Sequence, residues 1–586
     1  MSSKSNYDKH PCIPVSSSAA DCWVGWRRII ERLTPSSAES RCILAVECYP
    51  GTFEGIIKDA LVEGLRPTGV IYTRNLLKAP HSVDKLLAAV LGDDPIFGRM
   101  NDIGLQEFFD ESKLSHSLEK VTTWRTGLLL IVGVGAAIVS PLTDVLVYAD
   151  LARWEIQGRQ RRNEISNLGA DNIEESPSLK YKRAFFVDWR AADRLKRELL
   201  PKADFFLDTN NSTPKLVAGD CVRAGLTTVA RRPFRVVPYF DPGPWGGHWM
   251  EEVCNLPKDT VPNHAWCFDC VPEENSLLLG FSDLQIELPA IDLTFLRPRE
   301  LLGEVIYTRF GAEFPIRFDF LDTMGGGNLS LQVHPRTEYI RQQFGMNYTQ
   351  DESYYLLDAG EDGSVYLGLK ERIDREAMIR ELRRAQDGGP PFPVDTYVNK
   401  FPAKKHDHFL IPAGTIHCSG KNSMVLEISA TPYIFTFKLW DWGRLGLNGL
   451  PRPIHLDHGI ENIAWDRQTN WVKGNLINRV EFVGKYAGWT EERTGLHELE
   501  FIETRRNWFT DKTPHNTKGT VNVLNLVEGR EAIVESPNGA FDPFTVHYAE
   551  TFIVPAAVGV YTIRPGRESE GSQCGTIKAF VRSGQR

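Results

Sequence analysis

The chain has 586 residues, which at roughly 150 residues per domain predicts three to four domains. Its 42% hydrophobic and 24% charged residues form an ordinary globular mixture, which excludes disordered, collagen-like and low-complexity classes for most of the chain. The net charge of −9 argues against nucleic acid as the main partner, because proteins that bind nucleic acid carry an excess of positive charge.

The cysteines and the apolar segments bear on the compartment. The ten cysteines are irregularly spaced, unlike a disulfide framework, and the first residues contain no apolar run of the signal-peptide type. The longest apolar stretch, from Gly127 to Leu142, is shorter than the roughly 20 residues that cross a bilayer. We therefore expect a cytoplasmic protein with reduced thiols and no membrane span.

Short apolar segments alternate with amphipathic helical segments in the first part of the chain, a pattern typical of a parallel α/β sheet. The sequence predicts five of these apolar segments as strands: 42–49, 128–135, 145–150, 184–189 and 203–208. We assign residues 1–232 to this α/β domain. Asp150 and Asp188 then lie at the carboxyl ends of strands, where such sheets bind ligands.

Two segments of this domain, 143–162 and 185–210, faintly resemble nucleoside and nucleotide kinases. However, no GxxxxGK[ST] phosphate loop occurs anywhere in the sequence. The resemblance therefore implies a degenerate kinase-like domain without kinase activity, used for ligand sensing or assembly.

From residue 233 onward the apolar segments become strand-like and are separated by glycine and proline. A charged helical insert, 371–387, interrupts them. The segments FLIPAGTIHCSG (409–420) and FIVPAAVGVYTI (552–563) look like two copies of one strand–turn–strand unit, which predicts two related β-barrels. We place the first barrel in residues 233–480 and the second, metal-free barrel in 481–586.

A candidate metal site lies in the first of these barrels. Gln332 and His334 are two residues apart, so on a strand both side chains point to the same face. Glu352 opens a following strand, and the turn 412–417 delivers His417 to another strand. Two imidazoles, a carboxylate and an amide oxygen suit a divalent metal, which can polarise a sugar carbonyl or hydroxyl.

The order of these motifs resembles the type I phosphomannose isomerases of the cupin superfamily. The motifs that carry the resemblance are LSLQVHP (329–335), YYLLDA (354–359), PAGTIH (412–417), MVLEIS (424–429) and WDWGR (440–444). The resemblance covers residues 233–586 and implies an all-β double-cupin (jelly-roll) module. It also implies a zinc enzyme, with another divalent metal as an alternative, that interconverts mannose 6-phosphate and fructose 6-phosphate.

The resemblance assigns roles to individual residues of this sequence. It implies that Gln332, His334, Glu352 and His417 are the metal ligands. Ser330 matches a family position near the substrate phosphate.

Two further family positions concern catalysis. Glu427 matches an acidic position that lines the family's pocket, and Arg444 matches a family arginine. The chemistry implied is proton transfer between C1 and C2 of the sugar through a cis-enediol.

The sequence departs from the family pattern at three points. Bacterial members usually carry a lysine where this chain has Gln350. After the strand with Glu427, relatives usually show a Ser-Asp-Thr-Thr-Tyr-Arg-like run, whereas residues 430–438 of this chain lack the aspartate and have Lys438 in place of the arginine. Lys438 is included as a catalytic candidate, and Arg336 as a replacement phosphate contact. These departures keep open an alternative, a non-catalytic sugar-phosphate-binding regulatory protein that retains the metal. An iron-containing cupin oxygenase is a third reading, which the amide ligand and the flanking motifs disfavour.

Overall fold

The structure is a computed structural model that describes residues 5–15, 21–37, 39–258, 260–282, 284–495, 497–498 and 500–582. The chain forms two compact units. The α/β unit comprises Cys12–Val229 and Ser276–Arg297, and the double-barrel unit comprises Met1–Pro11, Ala230–Asn275 and Pro298–Arg586. Among the described residues, no helix combines the length and the apolar character needed to cross a membrane.

The first half of the chain contains short strands and helices numbered here in chain order. The strands are β1 Cys12–Pro14, β2 Cys22–Val24, β3 Cys42–Cys48, β4 Gly69–Tyr72, β5 Leu128–Gly133, β6 Val145–Asp150, β7 Phe205–Asp208, β8 Lys215–Ala218, β9 Tyr239–Asp241, β10 Trp266–Cys270, β11 Ser276–Phe281 and β12 Leu284–Pro289. The helices are α1 Gly25–Leu33, α2 Glu54–Leu65, α3 Pro80–Leu91, α4 Glu111–Thr123, α5 Ala136–Val139, α6 Arg153–Arg161, α7 Pro177–Arg183, α8 Trp189–Leu199, α9 Gly219–Val229, α10 Trp249–Val253 and α11 Ile291–Leu296.

The α/β unit is built on a seven-stranded sheet with the order β2-β8-β7-β6-β3-β5-β4. The five strands from β7 to β4 run parallel. At one edge β8 pairs antiparallel with β7, and β2 pairs antiparallel with β8. Strands β3 and β5 are buried almost throughout, which explains their continuous apolar sequences, because a central parallel strand is covered on both faces. The predicted parallel sheet is therefore present.

The segment 184–189, predicted as a strand, is helical instead. Ala184–Asp188 forms a π-helical turn that joins α7 to α8, and all five of its residues are buried. A short, fully buried apolar run looks alike in a strand and in a covered helix, so periodicity does not separate the two. Asp188 consequently does not end a strand, and its carboxylate accepts hydrogen bonds from Asn167 Nδ2 (2.7 Å) and Leu168 N (3.2 Å).

A later segment of the chain completes the α/β unit. Strands β11 and β12 form a hairpin, and β1 pairs with β11 in parallel. Helix α11 brings Asp292 to the unit's interior, where Lys196 Nζ lies 2.6 Å from both Asp150 and Asp292. The sequence pattern, which places 276–297 within the first barrel domain, carries no signal of this return.

We predict that Lys196→Ala strongly destabilises the α/β unit. Lys196, Asp150 and Asp292 are almost fully buried, so removing the ammonium leaves two carboxylates buried beside each other. Breaking a buried ion pair in this way costs about 3–5 kcal/mol. The free energy of unfolding measured by hydrogen exchange of the α8 amides should fall by this amount. In the exposed control Lys202→Ala, this free energy should change little. Equal protection in both variants would contradict the prediction.

The remaining elements belong to the double-barrel unit. The strands are β13 Ile316–Asp322, β14 Leu331–Val333, β15 Glu352–Ala359, β16 Ser364–Leu369, β17 Val398–Pro402, β18 His408–Ile411, β19 His417–Ser419, β20 Ser423–Ala430, β21 Phe437–Trp440, β22 Glu481–Tyr486, β23 Trp489–Arg493, β24 Ile502–Phe509, β25 Thr513–Asn516, β26 Asn522–Glu528, β27 Glu531–Glu535, β28 Phe544–His547, β29 Thr551–Val554, β30 Val560–Pro565 and β31 Cys574–Val581. The helices are α12 Pro298–Leu302, α13 Glu304–Phe310, α14 Thr337–Phe344, α15 Arg375–Gln386, α16 Val394–Tyr397, α17 Leu456–Asn462 and α18 Thr469–Asn475.

Each barrel consists of two antiparallel sheets. The first barrel has a six-stranded sheet, β18-β15-β20-β13-β10-β9, and a five-stranded sheet, β17-β16-β19-β14-β21. The second has a six-stranded sheet, β22-β23-β24-β31-β26-β29, and a four-stranded sheet, β25-β30-β27-β28. The predicted helical insert is present as α15, between β16 and β17.

Candidate metal centre

Three candidate side chains lie side by side across the five-stranded sheet of the first barrel. Gln332 on β14 pairs with His417 on β19, and on its other side with Lys438 on β21. Directly paired residues of antiparallel strands project to the same face. The strand pairing therefore sets an imidazole, an amide and an ammonium in one row.

The opposite sheet supplies the carboxylate. Glu352 opens β15, and its two oxygens lie 3.0 Å from His334 Nε2 and 2.8 Å from His417 Nε2. One ligand atom from each of the three residues lies within 4.8 Å of the others, and all three residues are buried. The Gln332 amide nitrogen is 3.2 Å from His417 Nε2, and half a turn of the amide brings its oxygen to that position. The structure thus brings the four predicted ligands together.

The hydrogen bonds of the two imidazoles fit a metal at this point. His417 Nδ1 donates to Thr415 O (2.9 Å) and His334 Nδ1 donates to Phe435 O (3.3 Å). Because a carbonyl only accepts, each Nδ1 carries the proton and each Nε2 presents its lone pair to Glu352. His334 Nε2 and one Glu352 oxygen are buried without a hydrogen-bond partner. A divalent cation satisfies all of these lone pairs.

The buried Glu352 carboxylate needs positive charge beside it. Burial alone would raise the pKa of this carboxyl, but positive charge on His334 and His417 holds its pKa well below the ordinary value. When both imidazoles are neutral, with the proton on Nδ1, that positive charge is missing, and a cation bound between the three residues would take its place.

The turn before His417 is held by contacts on both sides. Gly414 has a φ of +91°, which strongly favours glycine, and its amide donates to His334 O (3.0 Å). Arg467 donates to Pro412 O (2.6 Å) and to Thr415 Oγ1 (2.5 Å). These bonds fix the distance between the strand that carries His334 and the strand that carries His417.

A network of buried polar side chains adjoins the ligands. Gln350 Nε2 donates to Glu352 (3.0 Å) and to Glu427 (3.1 Å), so it links a predicted metal ligand to a predicted catalytic carboxyl. Burial, together with Glu352 and Asp319, raises the pKa of Glu427 well above its usual value. Arg317, which is ion-paired with Asp319, lies 4.0 Å from Glu427. The sequence did not single out Arg317 and Asp319, because the alternation of polar and apolar residues on β13 is typical of any strand.

A cationic cluster occupies the other end of the row. Asp441 accepts from Ser330 Oγ (2.8 Å), Arg444 Nη2 (2.6 Å) and Arg452 Nη1 (3.0 Å). Burial and the neighbouring Arg452 lower the pKa of Lys438 to about 7. No ion pair or side-chain hydrogen bond of Lys438 Nζ is found within the described parts of the chain. Arg452 was not predicted, because it follows a Gly- and Pro-rich loop without a recognisable motif.

Arg336 lies outside this cluster's hydrogen bonds. It is exposed at the start of α14, and its guanidinium donates to Glu461 O (2.8 Å). Its role as a phosphate contact stays a prediction.

Sequence relatives support the predicted family resemblance for part of the chain. A curated relative named mannose-6-phosphate isomerase, from Streptococcus mutans, is 25% identical over 228 residues, which are 39% of this chain and 66% of the relative. Among solved structures, the mannose 6-phosphate isomerase of Bacillus subtilis aligns with a TM-score of 0.49 and 17% identity, over 60% of this chain and 100% of that one. A zinc-bound mannose 6-phosphate isomerase aligns with a TM-score of 0.46 and 13% identity, over 60% of this chain and 100% of that one.

Part of this chain is thus similar in sequence to mannose-6-phosphate isomerases, which are enzymes, and the resemblance predicted from the motifs is confirmed. The chain spans 66% of the length of the Streptococcus mutans relative. The α/β unit matches a different family. A family model described as a domain of unknown function, DUF8485, matches residues 25–231, and the comparisons give the predicted kinase-like resemblance no support.

We predict that His417→Ala abolishes stoichiometric metal binding. The substitution removes a nitrogen ligand and leaves Glu352 with one imidazole fewer, so the affinity for zinc should fall by more than the roughly 10- to 100-fold seen when only a supporting residue is lost. Zinc content after equilibrium dialysis measures this. The exposed-histidine variant His248→Ala is the matched control and should bind as the unaltered chain does. Full zinc content in His417→Ala would exclude this site.

Proposed function

We propose that the protein is a zinc-dependent aldose–ketose isomerase that interconverts mannose 6-phosphate and fructose 6-phosphate, or a close sugar phosphate. One observation carries the proposal. Along a single row of side chains, His417 and Gln332 belong to the candidate metal centre and Lys438 belongs to the cationic cluster. A sugar phosphate has the same two parts, a polar sugar end and an anionic phosphate end.

The sugar end would face the metal centre. Gln332, His334, Glu352 and His417 would hold zinc, which when bound would polarise the carbonyl or hydroxyl oxygens of the sugar. The two sheets of the barrel exclude water from this end, since all three charged or imidazole ligands are buried.

The phosphate end would lie against the cationic cluster. Arg444 and Arg452 carry two positive charges beside the single negative charge of Asp441, Lys438 adds a third when it is protonated, and Ser330 adds a hydroxyl. The surplus of positive charge, most of it fixed in place by ion pairs to Asp441, suits a phosphate dianion.

Glu427 is the best-placed group to move the proton between C1 and C2. Burial and the neighbouring carboxylates raise its pKa, which makes the protonated form more available, so this carboxyl can donate as well as accept a proton. Gln350 and Ser429 both bond its carboxylate, at 3.1 and 2.9 Å, and so fix its orientation.

The alternative of a non-catalytic sugar-phosphate binder rests on two departures from the family pattern. Residues 430–438 lack the aspartate that relatives usually carry, and Lys438 stands where they usually carry arginine. The loss of a carboxylate and a partly deprotonated lysine at 438 change the charge around the substrate, while the candidate metal ligands are all present.

We predict that the zinc-loaded chain forms fructose 6-phosphate from mannose 6-phosphate, and that Glu427→Gln lowers kcat by about 100- to 10,000-fold with little change in KM. The amide keeps the shape of the side chain and its hydrogen bonds but cannot exchange the proton. A coupled assay for fructose 6-phosphate measures both constants, with the exposed Glu376→Gln as control. Binding of mannose 6-phosphate without conversion by the unaltered chain would establish the binder instead.

We also predict that Lys438→Gln raises the KM for mannose 6-phosphate by about 10- to 100-fold, because a hydrogen bond to a charged phosphate is lost. Lys438→Arg should restore most of the affinity, since arginine is the residue that the related enzymes carry there. The exposed Lys421→Gln controls for the loss of one positive charge. An unchanged KM in Lys438→Gln would remove this residue from the phosphate site.

A further inference from the structure

The second barrel contains a cavity of about 1210 Å³ that the metal centre does not use. Its lining comes from both sheets of that barrel, β24 and β31 on one side and β25 on the other. The cavity lies within the double-barrel unit and concerns a part of the chain for which the sequence predicts only a structural role.

Strand register shows that this cavity is the open end of the barrel interior. Asn507 and Phe509 project from the same face of β24, and Phe509 belongs to the apolar core of the second barrel. Lys578 on β31 pairs with Leu524, another member of that core. The opposite face of β24 carries Arg506, which donates to His406 O of the first barrel (3.0 Å). The polar cavity is thus the continuation of the core, not the outer surface.

Three polar side chains in this cavity are buried but lack partners among the described residues. Lys578 is only 8% exposed, and its ammonium forms no hydrogen bond or ion pair there. Asn507 Oδ1 and His515 Nε2 have no hydrogen-bond partner, although these residues are 1% and 6% exposed. Native interiors rarely leave polar atoms unsatisfied, so these atoms call for a partner from outside the chain, such as a water, an ion or a ligand.

The other charges around the cavity largely cancel. Arg493 lies 3.2 Å from Glu481, and Arg505 lies 2.5 Å from Glu503. Burial lowers the pKa of His515 well below its usual value, so this imidazole is neutral. The buried charge that stays unbalanced is therefore the ammonium of Lys578.

The chemistry of the unpaired groups defines the ligand. An ammonium in a desolvated place attracts an anionic oxygen, and burial lowers the pKa of Lys578 to about 8, a shift that a bound anion would reverse. The unpaired amide oxygen of Asn507 accepts only from a donor such as a hydroxyl. The ring of Phe580 also lines the cavity, and the Lys578 ammonium lies 5.7 Å from its centroid.

We propose that the open end of the second barrel is a binding site for a small hydroxylated organic anion, a sugar phosphate or a sugar acid, with Lys578 receiving the anionic group and Asn507 a hydroxyl. This site is separate from the metal centre, and it exists whether or not the first barrel catalyses isomerisation.

Calorimetric titration of the zinc-loaded full chain tests the proposal, with mannose 6-phosphate, gluconate and mannose as probes. The proposal predicts that at least one of the two anions binds in the second barrel and that neutral mannose binds there at least about 10-fold more weakly. Lys578→Gln should remove this binding, whereas Lys512→Gln, an exposed lysine of the same barrel, should retain it. Isotherms of Lys578→Gln that match those of the unaltered chain for both anions would overturn the proposal.

A second measurement avoids dependence on the folding of a variant. In the unaltered chain, each anion that binds should slow hydrogen exchange in β25 and β31, which line the cavity. Lys438→Gln separates this from the proposed function, because that substitution weakens binding at the first barrel and should leave the protection of β25 and β31 intact. Absence of protection in these strands with both anions would also overturn the proposal.

Discussion

The first barrel is organised around one buried carboxylate. Glu352 belongs to the six-stranded sheet, and it faces the Nε2 atoms of His334 and His417, which are carried on and beside the five-stranded sheet. Because both imidazoles direct their Nδ1 protons to backbone carbonyls, three sets of lone pairs converge in a buried place. Such an arrangement is unfavourable in a low dielectric unless a cation neutralises it. The cation would then also join the two sheets.

Much of the surrounding structure serves to keep these atoms in place. The turn at Gly414 is bonded to the strand of His334, and Arg467 holds the same turn from the other side. Gln350 extends the constraint to Glu427, so the acid–base candidate is linked to the same carboxylate that would hold a metal. Gln350 therefore orients both carboxylates through hydrogen bonds, whereas a lysine at that position would place a positive charge between them.

The sequence indicated which side chains converge, because their spacing has direct geometric meaning. Two-residue alternation places Gln332 and His334 together, and a glycine turn precedes His417. Arg452 and Arg317 escaped prediction, because their contacts with Asp441 and Glu427 depend on how distant strands and loops pack. The helical form of 184–189 escaped for another reason, since burial on all sides erases the periodicity that separates helix from strand. The return of 276–297 to the α/β unit is likewise a tertiary event without a local signature.

The central claim is that a metal is bound by imidazole and oxygen ligands from both sheets. Zinc K-edge X-ray absorption of the zinc-loaded full chain tests it directly. The account predicts nitrogen and oxygen scatterers at about 2.0–2.2 Å, with the multiple-scattering pattern of two imidazoles. A sulfur shell at about 2.3 Å would contradict it, because the metal would then be held by cysteines and not by His334, Glu352 and His417.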